Sequence, residues 1–292
     1  MRRRDVLSIP KLKAEGAPAE IQIVLGWKIN TRTLTLSLSD NKLELRLPEL
    51  RRLARQGRAT FKEIESLVER LGHASYAVSL TRHFMDRLQR TIAKSDTRKS
   101  SSVILSPEAI EDMTLWETFL LRAHQGISIN LLVTRQPSRL CWSDACPFGI
   151  GGYSLTTGSA WRVRIPKSTV IHGHPGINNL LEFLGMVVNV WLECKHCTAM
   201  GDKHACILAL GDNTSALGWL HKSASLAANY VAHAAHLTTT RHLATVVLQA
   251  DCCIASQHIR GVHNVVADLL SYCGNSRGNL TPSPPMIHLM MY

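Results

Sequence analysis

The sequence has no run of about 18 apolar residues, the length a helix needs to cross a bilayer, so no membrane span is expected. Its N-terminus, MRRRDVLSIPKLK, is basic but has no apolar segment behind the charges, so no secretory signal is expected either. Internal repeats and low-complexity segments are also missing. The eight cysteines fit a reducing, intracellular compartment, cytoplasmic or nuclear, better than a disulfide framework. Cys194-Lys-His-Cys197 has one zinc-like spacing, with His204 and Cys206 after it. There is no second cysteine pair at ligand spacing, and Cys206 opens an apolar, strand-like run. A closed zinc site needs four convergent ligands. Acids are scarce as well, with 22 Asp and Glu against 33 Lys and Arg, a formal net charge of +11 over 292 residues. A basic excess of this size suits a polyanion such as nucleic acid, although a soluble protein can be basic without one.

What is present is enough for packed cores: 45% of residues are hydrophobic and only 19% charged. Residues 1–20 read as a tail or a strand remnant of something larger. Residues 21–38 read as two short strands around the turn Asn30-Thr31-Arg32, because Leu34, Leu36 and Leu38 alternate with Thr and Ser. Asn41–Gln56 reads as a Leu- and Arg-rich helix ending at Gly57, with Pro48 as an interior break or kink. Thr60-Phe-Lys-Glu63 is a capping box, followed by Ile64, Leu67, Val68 and Leu71 at helical spacing, and helical pattern continues to about Ala93. Residues 94–102 are polar and linker-like. Ser106-Pro107-Glu108 then marks a strong helix start, with Leu115, Trp116, Phe119 and Leu120 on one face.

From Arg139 the pattern changes. Leu140–Asp144 alternates like a strand. Gly149, Gly151 and Gly152 read as a hairpin turn into a strand near Tyr153–Leu155, and Ala160–Ile165 as a third strand. Helices are expected at 179–193, 214–221, 227–249 and 264–271, with strands at 205–210 and 253–259. The order βββ-α-β-α-α-β-α implies a mixed sheet with helices on its faces.

Four acids fall at telling places on this pattern. Asp144 ends the first strand, Glu182 lies in the first turn of the first helix, Asp212 ends the fourth strand, and Asp268 lies in the last helix. Each has an ordinary explanation: a turn residue, an acid near a helix N-terminus, an N-cap, a solvated charge. Together they read differently. Neighbouring parallel strands bring their carboxyl ends side by side. Acids gathered there would repel and desolvate one another unless a cation neutralises them, and oxygen ligands suit Mg²⁺ or Mn²⁺.

Residues 139–273 resemble the ribonuclease H domain of retroelement reverse transcriptases. The segments behind the resemblance are Trp142-Ser-Asp144-Ala, Gly149-Ile-Gly-Gly152, Asn179-Leu-Leu-Glu182, Gly211-Asp212-Asn213-Thr-Ser-Ala and His258-Ile-Arg-Gly261-Val-His-Asn264-Val-Val-Ala-Asp268, in family order and at family-like spacing. Upstream, Val24-Leu25-Gly26-Trp27-Lys-Ile29 resembles the stretch after a polymerase palm, and the helices of 41–93 resemble the thumb or connection region of such enzymes, in particular those of DIRS-like elements. The chain departs from the family at Cys146 and Asn178, and it has no Tyr-x-Asp-Asp segment, so no polymerase activity is expected from it alone.

The resemblance implies an α/β, ribonuclease H-like fold: a mixed five-stranded sheet flanked by helices, after a small, mainly helical thumb- or connection-like region. The implied organisation is a tail (1–20), the thumb-like region (21–93), a linker and helix (94–138), the ribonuclease H-like domain (139–273) and a C-terminal tail (274–292). It also implies that Asp144, Glu182, Asp212 and Asp268 hold two Mg²⁺ ions, with Mn²⁺ as a substitute, and that the RNA strand of an RNA–DNA hybrid is hydrolysed. Many members add a mobile histidine near the last acid. Here that is His263, with His258 second, and either could be an ordinary loop histidine. Asn213 and the basic residues Lys42, Arg46, Arg51, Arg52, Arg55 and Arg58, with those of 82–98, are expected nucleic-acid contacts, the alternative being solvated helix faces. A palm-containing polypeptide is the expected protein partner. Two other readings remain at the level of sequence: a catalytically inactive nucleic-acid-binding remnant, and a different nuclease on the same fold.

Overall fold

The computed structural model describes residues 19–78, 80–94, 102–132, 136–166, 176–220 and 233–272. Both tails, most of the 94–102 segment and the first residues of the expected 227–249 helix lie outside them. Chain contacts divide the protein into two compact units, one of residues 1–78 and 87–132, the other of residues 79–86 and 133–292.

The first unit begins with three strands: β1 (Ile21–Val24), β2 (Trp27–Asn30) and β3 (Thr35–Leu38). The sequence pattern had merged the first two. Leu25 and Gly26, both at positive φ, turn the chain between them. Helix α1 (Asp40–Gln56) runs through Pro48 and ends on Gly57, whose φ of 61° suits a residue without a side chain. After the short β4 (Arg58–Ala59), α2 (Phe61–Ala74) starts on the full capping box: Thr60 accepts from the Glu63 N–H, and Glu63 accepts from the Thr60 N–H. Helix α3 (Asp86–Lys94), β5 (Val103–Ile104), α4 (Pro107–Gln125) and β6 (Ile127–Ser128) complete this unit. Helices α1 and α4 pack together over Leu50, Leu53, Trp116 and Phe119, all essentially fully buried.

The second unit is built on β7 (Arg139–Cys146), β8 (Gly149–Ser154) and β9 (Ser159–Arg164), then α5 (Ile177–Met200), β10 (Cys206–Gly211), α6 (Thr214–Trp219), α7 (His233–Ala250), β11 (Cys253–His258) and α8 (Val265–Ser271). The sheet order is β11-β10-β7-β8-β9. Strands β7, β8 and β9 form an antiparallel meander, while β10 and β11 join β7 in parallel. The mixed five-stranded sheet flanked by helices that the sequence led us to expect is therefore present. α5 is longer than its periodicity implied, and its middle buries Phe183, Met186 and Val190.

The glycines after Asp144 do not form the hairpin turn. Pro147 and Phe148 do, and Gly149, Gly151 and Gly152 lie within β8. The reason is close packing. A Cβ on Gly151 would stand 2.5 Å from the backbone carbonyl carbon of Leu270, and one on Gly152 would stand 2.7 Å from the Trp161 ring. Absence of a side chain therefore lets α8 lie directly on the sheet, opposite Asp144 in the β7–β8 register.

Candidate active site

Three elements of the second unit deliver acids to one place. Asp144 sits inside β7, two residues before its end, and is only 7% exposed. It is thus a strand residue, not a turn residue. Glu182 lies in the second turn of α5, one turn later than its sequence position implied, and is 6% exposed, so an affinity for the helix N-terminus does not explain it. Asp212 follows the last residue of β10. It is not the N-cap of α6, because Asn213 accepts from the Ala216 N–H and fills that role. Ligand oxygens of Asp144, Glu182 and Asp212 all lie within 4.8 Å of one another. The parallel pairing of β10 with β7 puts Asp212 beside Asp144, and α5 brings Glu182 over them.

The electrostatics show what this gathering costs without a counter-charge. Burial, then the charges of Asp144 and Asp212, push the Glu182 carboxyl up to about 9, against the pull of an Ala145 N–H hydrogen bond. Burial also raises Asp144, and the charges of Asp212 and Asp268 add to it, while hydrogen bonds from Ser271 and Ala145 oppose it. Glu182 Oε2 is buried with no hydrogen-bond partner. Three carboxylates gathered this closely, with one buried Glu182 oxygen orphaned, fit a divalent cation of the Mg²⁺ or Mn²⁺ kind. Among the described residues this is the one group of three or more His, Cys, Asp or Glu side chains able to share an ion. Cys194, Cys197, His204 and Cys206 form no such group. Burial drives the Cys197 thiol up to about 12, which disfavours a thiolate, and His204 pairs with Asp251.

Asp268 stands apart from the trio. It is exposed on α8, close enough for its charge to act on Asp144. His258 Nε2 donates to the Asp212 carbonyl at 3.0 Å, whereas His263 is exposed in the short 3₁₀ helix Gly261–His263. Asn213 is committed twice, by its N-cap bond and by a 2.8 Å bond from its Nδ2 to Asn179 Oδ1.

The arginines of the first unit divide. Arg46 is a correction: it is 4% exposed, its Nη2 lies 3.4 Å from His73 Nδ1, and burial lowers its pKa, so it faces the interior. Arg51 pairs with Glu117 at 2.5 Å and Arg52 with Glu63 at 2.6 Å. Arg55 Nε donates to the Arg51 carbonyl, and Arg58 is exposed on β4.

Sequence reasoning missed several residues around the acids. Ser271 Oγ lies 2.7 Å from Asp144 Oδ2. Asn264 Nδ2 donates to the Ser143 carbonyl at 3.0 Å. Gly261 leaves room for Asp212, whose Oδ2 would be 2.9 Å from a Cβ there. Gly261 and Asn264 lie in the His258–Asp268 segment, but nothing local shows what they touch.

No family model matches the chain, and no curated protein matches it. Solved structures do. An RNase H1 from the halophilic archaeon Halobacterium salinarum NRC-1 is 16% identical at a TM-score of 0.31, covering 45% of this chain and 92% of its own. The foamy viral protease-reverse transcriptase in complex with RNA/DNA hybrid is 11% identical at 0.32, covering 92% of this chain and 32% of its own. The same protein in complex with dsDNA is 10% identical at 0.33, covering 85% and 47%. The chain thus spans less than half of the foamy viral protein. At TM-scores of this size the likenesses add nothing to what sheet order and register establish.

Proposed function

We propose that the second unit is a metal-dependent ribonuclease H-type endonuclease that hydrolyses the RNA strand of RNA–DNA hybrids, as part of a retroelement reverse transcriptase of DIRS-like kind that works with a polymerase palm. On this reading residues 139–273 are the nuclease domain and residues 21–93 its thumb- or connection-like companion. The observation behind it is the trio of carboxylates, from β7, α5 and the end of β10, with oxygens within 4.8 Å.

Asp144, Glu182 and Asp212 would hold Mg²⁺ or Mn²⁺, with Asp268 completing the set for a second ion. When bound, such ions supply the positive charge that phosphodiester hydrolysis needs at its attacking and leaving oxygens. The chain's own residues do the rest. The three acids fix the place of attack. His263, exposed and near Asp268 in sequence, is the better group to hand a proton to the leaving oxygen, because His258 Nε2 is already committed to Asp212. Arg51, Arg52, Arg55 and Arg58 serve as phosphate contacts. The two ion pairs are half-exposed and weakened by solvent screening, so a phosphate can displace their carboxylates. Asn213 adds a polar contact beside the site.

The test is cleavage of an end-labelled RNA–DNA hybrid in Mg²⁺ or Mn²⁺ by the wild-type chain and by Asp144→Asn. The expected result is RNA-strand cleavage by the wild type only, with a loss of at least about 10³-fold in the variant. A folded wild-type chain that binds the hybrid and leaves it intact defeats the proposal.

A further inference from the structure

Helix α8 reaches the sheet in an unusual way: its small residues face inward. Ala267 and Ser271 are fully buried, while Val265, Val266 and Leu269 are exposed. Gly151 beneath it has no side chain, so the helix backbone comes down onto β8, with the Leu270 carbonyl carbon 2.5 Å from where a Cβ would be. That approach brings the Ser271 hydroxyl to 2.7 Å from Asp144 Oδ2 and 2.9 Å from the Asp268 carbonyl. A hydroxyl has one proton, and an ionised carboxylate is the stronger acceptor, so the proton goes to Asp144. Two more bonds clamp α8 to the same strand. Cys146 Sγ donates to the Ser271 carbonyl at 3.2 Å, and Asn264 Nδ2 donates to the Ser143 carbonyl at 3.0 Å. The strand residues held, Ser143 and Cys146, flank Asp144.

We infer that Ser271 is a positioning residue: its hydroxyl fixes the Asp144 carboxylate in the orientation that lets it share a divalent cation with Glu182 and Asp212. This rests on the nuclease reading above. Asp144 sits on a strand and has limited freedom of its own, but its carboxylate can still rotate about χ2, and that torsion is broad for an acid. A short bond to one oxygen removes the freedom. The same helix carries Asp268, so the clamp sets the two acids relative to each other through one rigid element. Partners that orient a metal ligand in this way commonly account for 10–100-fold in affinity.

The experiment compares the full chain with S271A and S271T, reading Mn²⁺ affinity by electron paramagnetic resonance, Tm in EDTA, and cleavage across a Mn²⁺ titration. The expected result is a Mn²⁺ Kd weakened about tenfold in S271A, an apo Tm within a few degrees of wild type, and affinity restored to within about threefold in S271T. Cleavage by S271A should recover most of its rate when Mn²⁺ is raised. Wild-type Mn²⁺ affinity in S271A overturns the inference and leaves the nuclease reading standing. A large fall in apo Tm with equal loss of Mn²⁺ in both variants also overturns it, marking Ser271 as a packing residue. A wild-type chain that neither binds Mn²⁺ nor cleaves removes the nuclease reading and this inference together.

Discussion

At the scale of single residues, Glu182 shows how the site is balanced. Its folded-state value of about 9 lies far above the ordinary 4.5. Below about pH 4.5 the carboxyl is protonated in both folded and unfolded chains and favours neither. As the pH rises toward 9 the unfolded chain gives up its proton and the folded one keeps it, so the metal-free protein loses stability across that window. The apo Tm should therefore fall by several degrees between pH 5 and pH 9. Glu182→Gln should flatten the fall, and added Mg²⁺ should raise Tm more at pH 8 than at pH 5. Scanning calorimetry across pH, with EDTA or Mg²⁺, checks all three. Gly261 makes a different demand. A methyl group there would meet Asp212 Oδ2 at 2.9 Å, so Gly261→Ala should push the carboxylate aside and slow cleavage by about 10²-fold with little change in Tm.

At the scale of elements, the contact between α8 and β8 shows most clearly how the fold sets the site. The helix lies on the sheet because Gly151 offers it a bare backbone, and that approach carries Asp268 and Ser271 into range of Asp144. Gly151→Ala should cost about 2 kcal/mol or more by forcing α8 off the strand, measured by urea unfolding, and should reduce cleavage further than the stability loss explains. The strands and helices themselves were legible in the sequence, because periodicity, capping boxes and Gly57 act over a few residues. Three things were not. β1 and β2 merged because Leu25 takes a positive φ that its residue type does not announce. α5 ran longer because its apolar residues are buried around more of its circumference than one face. The β8 glycines read as a turn because a glycine placed for close packing has the same local appearance as one placed for a bend.

At the scale of the whole molecule, the net charge of +11 remains the main argument for a polyanion partner. Arg46 is withdrawn into the interior, and Arg51 and Arg52 hold glutamates, so the basic surface is smaller than the composition implies. Hybrid binding should still weaken steeply with salt. If six or more phosphates are contacted, affinity falls by about 10³-fold or more between 50 and 200 mM, as fluorescence anisotropy can read. Arg58→Ala should lower the slope of log affinity against log salt, and Arg46→Met should leave it unchanged. Among the described residues no helix is long and apolar enough to cross a membrane.

By itself the sequence determined the type and order of the strands and helices of the second unit and which of them carry the four acids, because each depends on neighbours within a turn or two, whereas the bounds of α5 and β8 came only with packing. Only the tertiary structure decided which acids meet. Parallel pairing of β10 with β7 and the return of α5 across the sheet bring Asp144, Glu182 and Asp212 together over separations of 30 residues and more, while Asp268 stays at the rim. It also decided that Arg46 is buried and that Ser271 touches Asp144 across 127 positions. Neither has a local signal, since a hydroxyl or a guanidinium finds its partner only once distant segments have packed.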